Sequence, residues 1–187
     1  MNDEIKFYIS SDTIIDNVEI LEKMLSLISK DNVKLKKNKN IIEAYNVSEE
    51  GFIKLAVSLN PLKNDLKLDQ LSLIVTPVFN DGLMWLIEES NNEVCYLLDL
   101  LLRKIKAKDI KYEALKNIFK KINKETIDTI KNYINLNQSV KKTSEVMFTH
   151  RNTINYRINK FIHLTGINIR QHSNAMFVYV VMELINS

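Results

Sequence analysis

The sequence predicts an α+β chain, with an antiparallel sheet and helices over residues 1–107 followed by helices alone. Two observations predict this division. Short apolar runs separated by turn residues, typical of strands, occur only before Lys106, whereas the apolar residues after it are spaced as in helices. With 187 residues, of which 45% are hydrophobic, the chain is long enough for one core and a small additional domain. We therefore expect a domain at 1–107, a connecting helix at 108–122 and a second domain at 123–187.

The first elements of the N-terminal domain are a strand and a helix. Ile5–Ile9 alternates briefly between apolar and other residues, which indicates a strand. From Thr13 to Ser29 the apolar residues recur every three or four positions, which predicts an amphipathic helix with Asp12 as its N-cap. The lysine-rich segment 34–40 predicts a solvated loop or an edge strand.

Two hairpins and a helix complete this domain. In each predicted hairpin a short polar segment containing glycine separates two apolar runs, and glycine adopts the positive φ of such turns without steric cost. Apolar residues then fall on one stripe of Glu93–Ile105, which predicts a helix that leaves the sheet. The hairpins pair Ile41–Val47 with Phe52–Leu59 across Ser48–Gly51, and Leu71–Phe79 with Leu83–Ile87 across Asn80–Gly82.

This order of helix, strand pairs and exit helix resembles the layout of PAS and GAF sensor domains. The resemblance implies a small-molecule effector, and Met84, Trp85 and Tyr96 are candidates to line its pocket. An ordinary hydrophobic core is the alternative for these side chains. Residues 1–107 contain no histidine, and their acids show no pairing of the kind that catalysis requires. We therefore expect neither an enzyme nor a cofactor.

The composition indicates a cytoplasmic protein. Cys95 is the one cysteine of the chain and cannot form an intramolecular disulfide, which fits a reducing compartment. The longest apolar run, Cys95–Leu102, is interrupted by Asp99 and is too short to span a bilayer. The first residues lack the basic flank and apolar stretch of a secretory signal. His163 and His172 have no cysteine or paired acid nearby in the sequence, so we expect no metal site.

The basic residues are concentrated towards the C-terminal end. Residues 120–187 contain ten lysines and arginines against four acids, a net charge of +6, whereas residues 1–119 carry −3. This asymmetry is typical of a polyanion-binding domain attached to another unit. An uneven solvated surface is the alternative interpretation of the charge alone.

The C-terminal domain is predicted to contain a helix followed by a helix-turn-helix pair. After the helix Glu125–Ile134, Ser139 is a natural N-cap for a second, short helix. That helix is predicted to bury Val140, Ser144 and Met147, and the small Ser144 would let another helix cross closely.

The third helix of this domain carries the polar side chains from which its function is predicted. It runs from Arg151 to about Leu164, and Gly166 beyond its end can take the positive φ that terminates helices. One side is apolar, whereas the other presents arginine and asparagine, which match guanine and adenine bidentately in the major groove of DNA. The predicted reading face comprises Arg151, Asn152, Asn155, Tyr156 and Asn159, with Lys141, Lys142, Arg157 and Lys160 around it to reach phosphates.

The segment Ser139–Ile158 resembles the C-terminal helix-turn-helix of PucR/CdaR-type bacterial transcriptional regulators, and more distantly the Fis-type helix-turn-helix. Its distinctive part is the His-Arg-Asn-Thr block at 150–153, followed by Tyr-Arg at 156–157. The exit sequence at 164–168 is also similar to that of the family. The resemblance covers about residues 123–187. The chain departs from the pattern where Ser144 replaces the more usual alanine, and the space before the domain is shorter than the family's usual effector region.

The resemblance implies that Ser139–Met147 positions a recognition helix at His150–Phe161, with His150 as its N-cap. It implies a sequence-specific regulator that binds double-stranded DNA, and paired helix-turn-helix domains suggest a homodimer. Glu93–Ile105 is one candidate dimer seam, and the last helix is another. The apolar stripe of that helix comprises Met176, Phe177, Val180, Val181 and Leu184. The predicted DNA-binding residues are Ser139, Lys141, Lys142, His150, Arg151, Asn152, Asn155, Tyr156, Arg157, Asn159 and Lys160.

Three alternatives to a specific regulator stay open at this point. A nucleoid-type architectural protein would bind DNA with little sequence preference and a steep salt dependence. An enzyme would need an active site within residues 1–107. A protein-interaction domain would use the basic helix to bind a protein partner.

Overall fold

The computed structural model describes residues 4–13, 15–38, 41–87 and 90–186. They form two compact units that meet in the sequence at Asp109 and Ile110. The first unit combines a sheet with helices and the second is helical, so the predicted α+β class is confirmed. Among the described residues, no helix is both long and apolar enough to cross a membrane.

The first unit is a mixed sheet with helices. Within the described residues the sheet has the strand order β2-β3-β1-β4-β5. Neighbouring strands are antiparallel except β4 and β5, which are parallel. The elements are β1 (Ile5–Ser11), α1 (Val18–Ser29), β2 (Lys34–Asn38), β3 (Ile41–Val47), α2 (Glu49–Val57), α3 (Leu59–Asp65), β4 (Leu71–Val75), a 3₁₀ turn (Asp81–Leu83), α4 (Met84–Ile87), β5 (Val94–Tyr96) and α5 (Leu97–Lys106).

Strand β1 is the centre of this sheet, and its side chains alternate between the two faces. Phe7 and Ile9 lie in the core against which α1 and α2 pack, with Leu21 and Leu25 fully buried in α1. Tyr8 points to the opposite face, where its ring contacts Phe79 at a centroid distance of 5.0 Å. Both faces of the central strand are therefore covered.

The first predicted hairpin is wrong, because its second half is the helix α2. Ser48 caps this helix, since its Oγ accepts a hydrogen bond from the backbone N–H of Gly51 at 3.0 Å. The Asp31 carboxylate in turn accepts from the backbone N–H and the hydroxyl of Ser48 at 2.9 and 3.0 Å. A side chain at position 51 would overlap that carboxylate, so Gly51 serves close packing and not a hairpin turn.

The second predicted hairpin is also wrong. Asn80 Oδ1 accepts from the N–H of Gly82 at 2.8 Å, and the chain tightens into the 3₁₀ turn and α4 instead of reversing as a strand. The strand β4 ends at Val75, before Pro77. Two of the strands on which the resemblance to PAS and GAF domains was based are therefore helical.

The ends of two helices also differ from the prediction. Asn17 caps α1 by accepting from the N–H of Ile20 at 3.1 Å, whereas Asp12 accepts from the N–H of Gln70. Ile14, which the prediction placed in this helix, lies outside the described residues. The exit helix starts at Leu97 and not at Glu93, because Val94–Tyr96 pair with β4 as a parallel strand.

Two further expectations concern the first unit. Of the two alternatives for 34–40, the edge strand is found as β2, and the last two positions lie outside the described residues. Trp85 is only 6% exposed and belongs to the hydrophobic core, whereas Tyr96 is 53% exposed. This burial favours the alternative of an ordinary core residue for Trp85.

The second unit contains five helices within the described residues. They are α6 (Tyr112–Phe119), α7 (Lys124–Asn135), α8 (Val140–Val146), α9 (Arg151–Thr165) and α10 (His172–Asn186). The rings of Phe119 and Phe161 lie 5.9 Å apart, so α6 shares a core with α9. Phe177 and Val181 of α10 are buried in this unit, whereas Met176 is 39% exposed. Two residues of the apolar stripe that was a candidate dimer seam on α10, Phe177 and Val181, are thus buried in the core of the unit itself.

Candidate nucleic-acid interface

Helix α8 begins at Ser139 and packs through a threonine. The Ser139 hydroxyl accepts from the backbone N–H of Lys142 at 3.3 Å, as an N-cap does. Thr143 is fully buried, and its hydroxyl donates to the Ser139 carbonyl oxygen at 2.8 Å. Val140, Ser144 and Met147, which were predicted to be buried, are only half-buried, and Thr143 is the fully buried residue of the same face. A threonine satisfied by its own helix can occupy the core position that an apolar residue was expected to fill.

The turn between α8 and α9 is tight and places a phenylalanine in solvent. Phe148 has φ +49°, in the left-handed region, and its side chain is 97% exposed. The backbone N–H of Thr149 donates to the carbonyl of Ser144 at 3.0 Å, which closes the turn. The helical spacing of apolar residues in α8 and α9 gave no signal for this exposed aromatic residue.

Helix α9 is capped at both ends. His150 Nδ1 accepts from the backbone N–H of Asn152 at 3.2 Å, so the imidazole is the N-cap that the resemblance implied. Ile154, Ile158 and Phe161 are fully buried and hold the helix on the unit. Gly166 ends it with φ +72°.

The opposite side of α9 is open to solvent. The residues on it follow one another at helical spacing, and Tyr156 is 63% exposed. Their donors and acceptors are amides, a guanidinium and a phenol, which is the chemistry that base edges accept. The structure brings together on this exposed side Arg151, Asn152, Asn155, Tyr156 and Asn159.

Arg157, a predicted phosphate contact, is bonded to another helix of the unit. Its guanidinium donates to Glu125 Oε2 at 2.7 Å and to Thr129 Oγ1 at 3.2 Å, both on α7. The Arg157 side chain is only 19% exposed. Its charge is thus paired with a carboxylate of α7, and the pair joins α9 to α7. The predicted contact of Arg157 with phosphate stays a prediction.

The remaining basic residues differ in their surroundings. Lys141 and Lys142 on α8 are exposed, and Lys160 is half-buried. Asn159 Oδ1 accepts from Arg170 Nη2 at 2.8 Å, a pair that the sequence analysis did not predict. Lys131 forms an ion pair with Glu183 of the same unit, and this hydrogen bond raises the pKa of Lys131.

A metal centre is not among the features of this unit. Within the ranges that the structure describes, no group of three or more histidine, cysteine, aspartate or glutamate residues is arranged to hold a metal ion. Cys95 in the first unit is buried, and that burial raises the pKa of its thiol to about 12. The exposed polar side chains of α8 and α9 are hydrogen-bonding groups.

Comparison with known families identifies this surface. Residues 126–184, which include α8, α9 and most of α7 and α10, match the profile of the PucR C-terminal helix-turn-helix domain. This part of the chain is a PucR-type helix-turn-helix domain. The PucR-type domain contains all the residues predicted to form the reading face and the capping residues Ser139, His150 and Gly166.

Two curated proteins are similar to the chain over part of its length. It is 40% identical over 53 residues to the uncharacterised protein YxkF of Bacillus subtilis (strain 168), and 38% identical over 42 residues to the carbohydrate diacid regulator of Escherichia coli (strain K12). These matches span 28% and 22% of this chain, but only 18% and 11% of the two relatives. The chain therefore spans less than a fifth of the length of each of these relatives.

A solved structure also resembles the chain. It is the crystal structure of a regulator of polyketide synthase expression from Bifidobacterium adolescentis, with 11% sequence identity and a TM-score of 0.41. The alignment covers 99% of this chain and 81% of that structure.

Proposed function

We propose that the PucR-type domain binds double-stranded DNA sequence-specifically and that the chain is a cytoplasmic transcriptional regulator without catalytic activity. The observation that carries this proposal is the division of α9 into a buried side and an exposed side. The apolar residues Ile154, Ile158 and Phe161 fix the helix on the unit. Arg151, Asn155 and their neighbours are left free of the core on a helix that a major groove can accept.

Each helix of the pair has a defined part in the proposed complex. The N-terminal turn of α9, starting at His150, enters the groove, where Arg151, Asn152 and Asn155 contact base edges. Helix α8 lies across the backbone, and Lys141, Lys142 and the Ser139 turn face phosphates. The buried Thr143 and the Arg157 pair set the angle between the two helices and α7.

Control of binding follows from the pairing of two such domains. Homodimers place two recognition helices about one helical turn of DNA apart, so affinity depends on their spacing. We propose that a small molecule or partner acting on the first unit changes that spacing in a homodimer. The local similarity of the chain to a carbohydrate diacid regulator supports the proposal that it is a regulator.

Fluorescence anisotropy with two duplexes tests the proposal. The first duplex is one that the purified full chain selects from a random pool, and the second is a scrambled duplex of equal length. We expect a preference of about 10³-fold or more for the selected duplex at near-physiological salt. Equal and strongly salt-dependent binding of both duplexes would instead support an architectural protein, and binding of neither would contradict the proposal.

Two substitutions separate base reading from phosphate contact. Asn155→Ala should weaken binding of the selected duplex by about 1–3 kcal/mol and leave binding of the scrambled duplex unchanged. Lys142→Ala should weaken binding of both duplexes by the same factor and reduce the salt dependence. The exposed Asn117 of α6 and Lys23 of α1 provide matched control variants, which should bind as the unmodified chain does. Equal losses for Asn155→Ala and Lys142→Ala on both duplexes would contradict the assignment of the reading face.

A further inference from the structure

Arg157 and Arg170 lie in the second unit but meet different acceptors. Arg157 donates to the Glu125 carboxylate, which neutralises its charge. Arg170 donates through Nη2 to the side-chain oxygen of Asn159 at 2.8 Å, on the exposed side of α9. An amide accepts this hydrogen bond without carrying a charge, so the Arg170 guanidinium is held in place while keeping its full positive charge.

The backbone around Arg170 is also fixed. Its N–H donates to Asn168 Oδ1 at 3.2 Å, and the preceding residue, Ile169, is fully buried. The carbonyl of Ile169 accepts from Gln138 Nε2 at 2.6 Å, and Gln138 directly precedes the N-cap of α8. Arg170 thus lies where the loop after α9 meets the start of α8. Its guanidinium contacts α9, and the backbone that carries it is bonded to the residue before the N-cap of α8.

The positive charge of Arg170 also acts on a buried tyrosine nearby, Tyr133. Burial raises the pKa of the Tyr133 hydroxyl on α7, and the positive charge of Arg170 opposes that rise. The charge is therefore close to the end of α7 that leads into α8, in agreement with the hydrogen bond from Gln138.

The position of Asn159 on α9 indicates what this charge faces. Asn159 follows Arg151 by eight residues on the exposed side, which is about 12 Å along a helix. The major groove is itself about 12 Å wide, so a helix whose first turn contacts bases brings its residues at this distance to the groove edge, where phosphates lie. An arginine is well suited there, because its fork of donors matches phosphate oxygens.

We infer that Arg170 is a phosphate-binding residue at the edge of the groove and that Asn159 positions it. This assignment rests on the proposed function, and it changes the role that the sequence predicted for Asn159, which was a place on the base-reading face. Arg170 was not among the predicted DNA-binding residues, since it lies outside the two helices of the motif.

Salt dependence of binding tests the assignment of Arg170. The full chain and its variants are titrated with the selected and the scrambled duplex over a range of salt concentrations. Arg170→Ala should reduce the slope of log Kd against log salt by about 0.9, the value for one lost phosphate contact, and weaken both duplexes by the same factor. Arg170→Lys keeps the charge and should recover most of the slope.

A double-mutant cycle tests the positioning role of Asn159. Asn159→Ala should reduce the slope by less than Arg170→Ala does, and adding it to Arg170→Ala should change nothing further, since it acts only through Arg170. Far-UV circular dichroism checks that the variants are folded, and because Asn159 is exposed, its variant retains the buried side of α9.

Three results would overturn the inference in distinguishable ways. If the slope of log Kd against log salt were unchanged in Arg170→Ala, Arg170 would not contact a phosphate. A loss for Asn159→Ala confined to the selected duplex, and additive with Arg170→Ala, would show that Asn159 reads a base. Failure of the unmodified chain to bind either duplex would overturn the proposed function itself, and the inference with it.

Discussion

The role of Arg157 offers a direct test of how the PucR-type domain is held together. Removing the side chain with Arg157→Ala breaks the hydrogen bonds to Glu125 and Thr129 that join α9 to α7. Thr129 is fully buried, and a hydrogen bond to a charged group contributes about 1.5–3 kcal/mol. Glu125 is 72% exposed, so its ion pair adds at most about 1 kcal/mol. We expect the second unit to lose about 2 kcal/mol of unfolding free energy, because the Thr129 hydroxyl keeps its bond to the Glu125 carbonyl.

Urea denaturation of the full chain, followed by far-UV circular dichroism, measures this loss. Trp85 is the one tryptophan of the chain and lies in the first unit, so its fluorescence should report an unchanged transition. Glu125→Gln is the matched variant, and it should cost about 1 kcal/mol or less. The salt slope of DNA binding should stay that of the unmodified chain. If Arg157→Ala lowered the slope by about 0.9 and left stability unchanged, Arg157 would be a phosphate contact after all.

Two further substitutions test local geometry. Gly51→Ala should destabilise the first unit by about 2 kcal/mol, because the added Cβ displaces the Asp31 carboxylate from Ser48. In an Asp31→Ala background the same change should cost less, since Ser29 Cβ at 3.0 Å is then the close neighbour that is left. Equal effects in both backgrounds, measured by Trp85 fluorescence in urea, would disprove the overlap with the carboxylate. Phe148→Gly should leave the second unit about 1 kcal/mol more stable than Phe148→Ala does, because glycine takes φ +49° without strain, and circular dichroism in urea showing no such difference would exclude strain at this turn.

The helix-turn-helix could be predicted because its signals are local. Ser139 and His150 cap helices whose N–H groups lie two or three residues ahead, and Gly166 ends a helix through its own φ. The apolar spacing of Ile154, Ile158 and Phe161 is that of a single helix face, and all three are buried. Each of these features depends on residues only a few positions apart, so a single sequence contains them.

The sheet could be predicted only in part, because distant contacts decide it. The apolar run at 52–59 fits both a strand and a helix, and its buried members Phe52, Leu55 and Leu59 have helical spacing. What favours the helix is the carboxylate of Asp31, 17 positions before Ser48, which orders the helix cap. Likewise β5 exists because Val94–Tyr96 pair with β4, some 21 residues earlier.

The candidate site could likewise be predicted only in part from local spacing. Helical spacing placed Asn159 correctly on the exposed side of α9 and Arg157 near its edge. Helical spacing could not predict their partners, because Glu125 is 32 residues from Arg157 and Arg170 is 11 residues from Asn159. Spacing along one helix predicts which residues share a side, whereas the function of a polar side chain depends on what another element brings to it.

The acids of the second unit decide where its excess charge is available. Glu125 and Glu183 neutralise Arg157 and Lys131, and both of these ion pairs join α7 to another helix, α9 in one case and α10 in the other. These two acids thus lie where α7 packs against α9 and α10, while the guanidinium of Arg170 donates to the neutral amide of Asn159. The net charge of +6 over residues 120–187 is consequently not spread evenly over their surface. Because ion pairs within the packing contribute little to a distant phosphate, the salt dependence of DNA binding should follow the lysines and arginines beside α8 and α9, and not the total number of basic residues.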